Sequence, residues 1–108
     1  PQQVTQVFFY LIENAVEAAG DRGQVHVATQ VDGAFVIAMF VDDGPAISPE
    51  DMPHIFEPFY TTKQYGTGLG LAISHTVVQQ QGGTLSAENV TKERGAMLIV
   101  KLPLAAAS

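Results

Sequence analysis

Every side chain from Ala34 to Val41 is apolar, and the run follows directly on an Asp32-Gly33 pair. Asp-Gly is a favoured two-residue hairpin turn, so the run reads as the second arm of a β-hairpin. Its first arm is Gln24 to Val31, where Val25, Val27 and Val31 alternate with other residues. A strand with no polar side is expected to be buried on both faces, which demands covering layers elsewhere in the chain. Helical periodicity supplies the candidates. From Val4 to Ala19 the apolar positions Val4, Val7, Phe8, Leu11, Ile12, Ala15 and Ala19 recur at helical spacing, and the pattern stops at Gly20.

A second helix is expected after the glycines Gly66, Gly68 and Gly70, with Leu69, Ala72, Ile73, Thr76 and Val77 on its buried face and Gly82-Gly83 at its end. Asp42 to Ser48 reads as loop, and Pro49 to Ile55 as a short helix capped by Ser48. Phe56 to Tyr65 is irregular. Two strands, Thr84 to Glu88 and Ala96 to Leu102, close the chain before Pro103. The order predicts an α/β (α+β) two-layer sandwich: one mixed β-sheet, helices on one face, and a glycine-rich lid between the short helix and the last long helix.

At 108 residues the chain is expected to form one domain over 1–108. The absence of cysteine excludes disulfides and thiolate metal sites, and His26, His54 and His75 lack ligand-like spacing. The longest apolar run is far too short to span a bilayer, so no direct membrane contact is expected and a cytoplasmic setting is. Five basic against eleven acidic side chains, net −6, argue against nucleic acid as a partner. A bound polyanion would need a cation, backbone N–H groups and a few placed lysines. The chain opens at Pro1 and turns helical almost at once, which reads as a piece of a longer protein.

Four islands in this order resemble the boxes of the sensor histidine kinase catalytic domain, of the GHKL superfamily shared by gyrase, the heat-shock chaperone and the MutL mismatch-repair ATPases. They are Leu11-Ile12-Glu13-Asn14-Ala15, Asp42-Asp43-Gly44-Pro45-Ala46-Ile47, Phe56-Glu57-Pro58-Phe59-Tyr60-Thr61-Thr62-Lys63 and Gly66-Thr67-Gly68-Leu69-Gly70-Leu71. A fifth stretch, Gly95 to Pro103, resembles the terminal strand that closes the adenine pocket. The resemblance implies the Bergerat-type fold and a site for ATP and Mg²⁺.

Each island has a physical reading beside that resemblance. Asn14 offers an uncharged oxygen of the kind Mg²⁺ accepts alongside water and phosphate, although a lone helix asparagine is more often simply solvated. Asp42 follows an apolar strand and needs a donor. The resemblance provides one in the adenine amino group, and a turn cap with Gly44 is the common alternative. Gly44 would let the backbone pass close to the base, flanked by Ala46 and Ile47. Gly66, Thr67, Gly68, Leu69 and Gly70 form a phosphate cradle at a helix start, with a flexible hinge as the bland alternative. The dinucleotide fingerprint fails because its third glycine would fall at Leu71, and no Gly-Lys-Ser/Thr ending makes a P-loop. Phe56, Phe59 and Tyr60 are spaced so that some of them can anchor the lid while Thr62 and Lys63 reach inward, although such aromatics taken singly are more often plain core. Lys63 is expected to meet a phosphate, with a surface lysine as the bland alternative.

The hydrolytic relatives carry a glutamate one turn before the asparagine, where this chain has Tyr10. The resemblance therefore implies phosphoryl transfer from Mg·ATP to a histidine on a dimerisation domain outside this chain, then to a response regulator receiver domain. This chain alone would be monomeric. Two other readings stand beside it: a degenerate regulatory module that works through protein contacts, and a GHKL-type ATPase. Departures from the family pattern are Tyr10, where many kinases have Asn, Glu17, where a basic residue is common, Ala46 for a second glycine, and Ala96 for a threonine.

Overall fold

A computed structural model describes residues 2–21, 23–58 and 70–104. The first helix, α1, runs Gln2–Ala19. Two strands follow, β1 Val25–Asp32 and β2 Phe35–Pro45. A single 3₁₀ turn at Met52–His54 takes the place of the expected short helix. Ser48 does cap its approach, accepting from the Asp51 N–H at 3.1 Å through Oγ. Helix α2 spans Gly70–Gln80, and strands β3 Thr84–Asn89 and β4 Arg94–Pro103 complete the chain.

The sheet order is β1-β2-β4-β3, and every pairing is antiparallel. The expected mixed sheet is therefore corrected. The connection through α2 does bring β3 back parallel to β2, but β4 returns between them and pairs with both. Asp42 to Pro45 is also not loop: β2 continues through it, with a register shift between Asp42 and Pro45 against β4.

Both helices lie on one face of the sheet. Along β2 the residues Ala38, Phe40, Asp42 and Gly44 are buried toward them, while Phe35, Ile37, Met39 and Val41 are only half-buried on the other side. The expectation of burial on both faces fails because no described helix covers that second face. The core joins Val4, Val7 and Leu11 of α1 to Phe40, Leu98, Val100 and Leu102 of the sheet and to Leu71 and Val78 of α2. Phe8 meets Phe40 edge to face, with ring centroids 5.3 Å apart. The buried face of α2 is rotated from the predicted one. Leu71, Ala72, Ser74 and Val78 are buried, and Ile73 and Thr76 point outward. Leu69 lies outside the described residues.

Candidate functional site

The inner face of α1 carries Asn14 and, one turn later, Ala18, both buried and stacked by the i, i+4 geometry of the helix. The Nδ2 of Asn14 donates to the Tyr10 carbonyl at 3.0 Å. That bond uses one of the two amide N–H groups, and Oδ1 is left as the atom suited to a hard cation. The first residue of α2 lies against it: a Cβ built on Gly70 would stand 3.6 Å from Asn14 Nδ2 and 4.0 Å from the Tyr10 ring.

One turn along, the end of β2 reaches the same helix. Gly44 is buried so tightly against the Ala18 carbonyl that a Cβ there would overlap the oxygen. Only glycine permits that approach. Four residues of helix span about 6 Å, so the α2 start and the Asp42–Gly44 segment touch neighbouring turns of α1. Asn14, Gly70, Asp42 and Gly44 are thus gathered along one helix face.

Asp42 is 5% exposed, and its Oδ1 accepts from the Gly44 N–H at 2.9 Å. Burial pushes its carboxyl above the ordinary aspartate range. Backbone N–H groups of Gly44 and Ala96 oppose the shift, and the neighbouring Asp43 charge adds to it. The turn-capping role considered from sequence is therefore present, and it leaves the second carboxylate oxygen to other donors. Ala96, 1% exposed, is the register partner of Asp42. Gly95 has φ +87°, and a Cβ there would come within 3.2 Å of the Asp42 carbonyl oxygen.

Ala46 is half-buried and Ile47 is 4% exposed. Sequence reasoning missed what holds them. Asn89 on β3 accepts from the Ile47 N–H through Oδ1 and donates to the Ile47 carbonyl through Nδ2, both at 2.8 Å. No local signal marks an asparagine at a strand end as a clamp on a loop so distant in sequence.

Phe59, Thr62, Lys63, Gly66, Thr67, Gly68 and Leu69 lie outside the described residues, as does Tyr60. The stem that leads toward them is described. Phe56 stacks on His75 of α2, with centroids 4.9 Å apart and planes 17° from parallel, and His54 Nδ1 lies 2.7 Å from Glu57 Oε2. Glu17 is exposed. Among the described residues no group of three or more His, Cys, Asp or Glu could hold a metal ion. A Mg²⁺ at Asn14 would thus draw its remaining ligands from phosphate and water, which is how this ion is commonly bound. A cleft of about 330 Å³ beyond Gly44 is lined by Asp43, Glu93 and Arg94 among others. Arg94 Nε donates to the Asp43 carbonyl at 2.9 Å, and the carboxylates of Asp43 and Glu93 in the lining make the cleft a poor seat for polyphosphate. No described helix is long and apolar enough to cross a membrane.

Comparison with known proteins identifies the family and the fold. Residues 1–106 match the family described as histidine kinase-, DNA gyrase B-, and HSP90-like ATPase. The chain is 38% identical over 104 residues to the sensor histidine kinase ZraS of Escherichia coli O157:H7, covering 96% of this chain and 22% of that protein. Among solved structures, the catalytic domain of histidine kinase ThkA superposes with a TM-score of 0.84 at 34% identity, covering 94% of this chain and 67% of that one. Full-length ShkA in complex with AMPPNP superposes with a TM-score of 0.81 at 29% identity, covering 94% of this chain and 21% of that one.

Proposed function

This chain belongs to the histidine kinase-, DNA gyrase B- and HSP90-like ATPase family, and from that premise we propose that it is the nucleotide-binding, catalytic domain of a histidine protein kinase. As a single domain over 1–108, it binds Mg·ATP between α1, the end of β2 and the start of α2. The observation that carries the reading is the convergence of Asn14, Gly70, Asp42 and Gly44 on one face of α1.

Asp42 accepts the adenine amino group, with Gly44, Ala46 and Ile47 beside the base. In this reading Phe59 belongs to the lid, and Thr62, Lys63 and the run from Gly66 to Gly70 would meet the phosphates. Asn14 would hold Mg²⁺ through Oδ1, and the ion would supply neutralisation of the phosphate charge. The acceptor is a histidine on a dimerisation domain elsewhere in the parent protein. Its ring nitrogen bonds to the γ-phosphorus as the bond to the bridging oxygen breaks, and ADP leaves. The domain's part is positioning and charge neutralisation. From the histidine the phosphoryl group passes to a response regulator receiver domain. The domain is cytoplasmic, and monomeric when isolated.

A phenol is a weaker base toward water than a carboxylate, so Tyr10 favours transfer over hydrolysis. Calorimetric titration with Mg·ATP tests the reading: heat of binding is expected at submillimolar nucleotide, and silence at millimolar concentration would remove it in favour of a degenerate module. Phosphate release by this chain alone is expected to be near zero, and steady release would assign it as an ATPase.

A further inference from the structure

Where β2 ends at Pro45, the chain leaves its pairing with β4, and the next peptide groups lose their strand neighbour. Asn89 supplies a replacement. Its side-chain amide exchanges two hydrogen bonds of 2.8 Å with the N–H and C=O of Ile47. An antiparallel partner residue makes the same reciprocal pair through its backbone. The clamp is part-buried, and the Ile47 side chain beyond it enters the core.

Asn89 also shares a rung of the sheet with the acidic residue of the site. Asn89 pairs with Ala96, and Ala96 with Asp42. All three positions lie on the helix-facing side. One side chain, two strands away from Asp42, therefore ties the Ala46-Ile47 segment back to the strand system that holds the carboxylate.

We infer that Asn89 is a positioning residue of the nucleotide site, setting the distance between the Ala46-Ile47 backbone and the Asp42 carboxylate and so the shape presented to the base. The inference rests on the nucleotide reading above. It depends on the amide: Asp offers no donor to the Ile47 carbonyl, Leu offers neither bond, and the single hydroxyl of Ser is too short to reproduce the pair.

The test compares the wild-type chain with Asn89→Leu and Asn89→Ser. It measures hydrogen exchange of the Ile47 amide and dissociation constants for Mg·ATP and Mg·GTP. In Asn89→Leu, Ile47 exchange is expected to accelerate about tenfold or more and ATP binding to weaken about tenfold, the worth of roughly one net hydrogen bond. The preference for ATP over GTP narrows with it, and Asn89→Ser falls between. Faster Ile47 exchange with ATP affinity and selectivity within about twofold of wild type would overturn the inference, leaving Asn89 a loop fastener. If Asn89→Leu does not fold, the same comparison is made with Asn89→Ser alone, and unchanged affinity and selectivity there overturn it equally. A wild-type chain that binds no ATP sinks the nucleotide reading itself, a result distinct from equal binding by wild type and variant.

Discussion

Gly44 packs its backbone directly on the carbonyl oxygen of Ala18, with no room between them for a methyl group. That contact joins the end of β2 to the helix that carries Asn14. Gly44→Ala must separate the two or shift the strand end, an overpacking cost of about 1–3 kcal/mol. The thermal midpoint is expected to fall by several degrees for each kcal/mol in a domain of this size. Mg·ATP affinity falls with it. An unchanged midpoint would mean that this strand end moves freely and does not frame the site.

Asp42 is the residue expected to tell adenine from guanine. Asp42→Asn removes the second acceptor oxygen, so ATP affinity drops and the margin over GTP closes. An unchanged ATP preference in competition binding would show that the base lies elsewhere.

The same carboxyl imposes a pH signature. Its folded-state value lies above the ordinary 3.8 because burial penalises the charge. Between 3.8 and the raised value the folded state holds more protons than the unfolded one, so stability falls as pH rises through that window. The penalty is constant above it and absent below 3.8. Midpoints of wild type minus those of Asp42→Asn should therefore decline from acid toward neutral pH, and a flat difference would contradict the burial penalty.

Asn14 should carry the metal dependence. Removing Mg²⁺ with a chelator is expected to weaken ATP binding by wild type, and Asn14→Ala should lose most of that metal-dependent increment. A full increment in the variant would exclude Oδ1 as a ligand.

The Phe56–His75 stack joins the stem ahead of the glycine-rich run to α2. His75→Ala should cost about 0.5–1.5 kcal/mol in chemical denaturation, the usual worth of an aromatic pair, while His75→Phe keeps most of it. Equal losses in both variants would show that stacking is not what the contact contributes.

Much of this architecture is legible residue by residue. The stripe from Val4 to Ala19 marks α1, the Asp32-Gly33 turn marks the β1-β2 hairpin, and Gly82-Gly83 marks the end of α2. These signals are local: helical period and turn chemistry are set by residues within a few positions of one another. Asn14, Asp42 and Gly44 could be named as candidates because the islands holding them are contiguous words in the chain.

Other features depend on which distant segments meet. The run Ala34 to Val41 could not reveal that only one of its faces would be covered, since the cover is α1 and α2 and both chose the same side. Nor could it reveal that β4 would enter between β2 and β3, turning an expected mixed sheet antiparallel. The inner face of α2 was set by packing against α1 and the sheet, which turned Leu71, Ser74 and Val78 inward in place of Ile73 and Thr76.

The sequence by itself determined the elements, their order and the chemical vocabulary of the site, because those follow from neighbour-to-neighbour constraints on the backbone. Tertiary structure alone decided that Gly44 would rest on Ala18, that Gly70 would face Asn14, and that the Asn89 amide would hold Ile47. Each of those contacts joins segments far apart along the chain. Its geometry exists only after the core around Phe40 and Leu11 has closed, since close packing is what brings such groups within hydrogen-bonding reach.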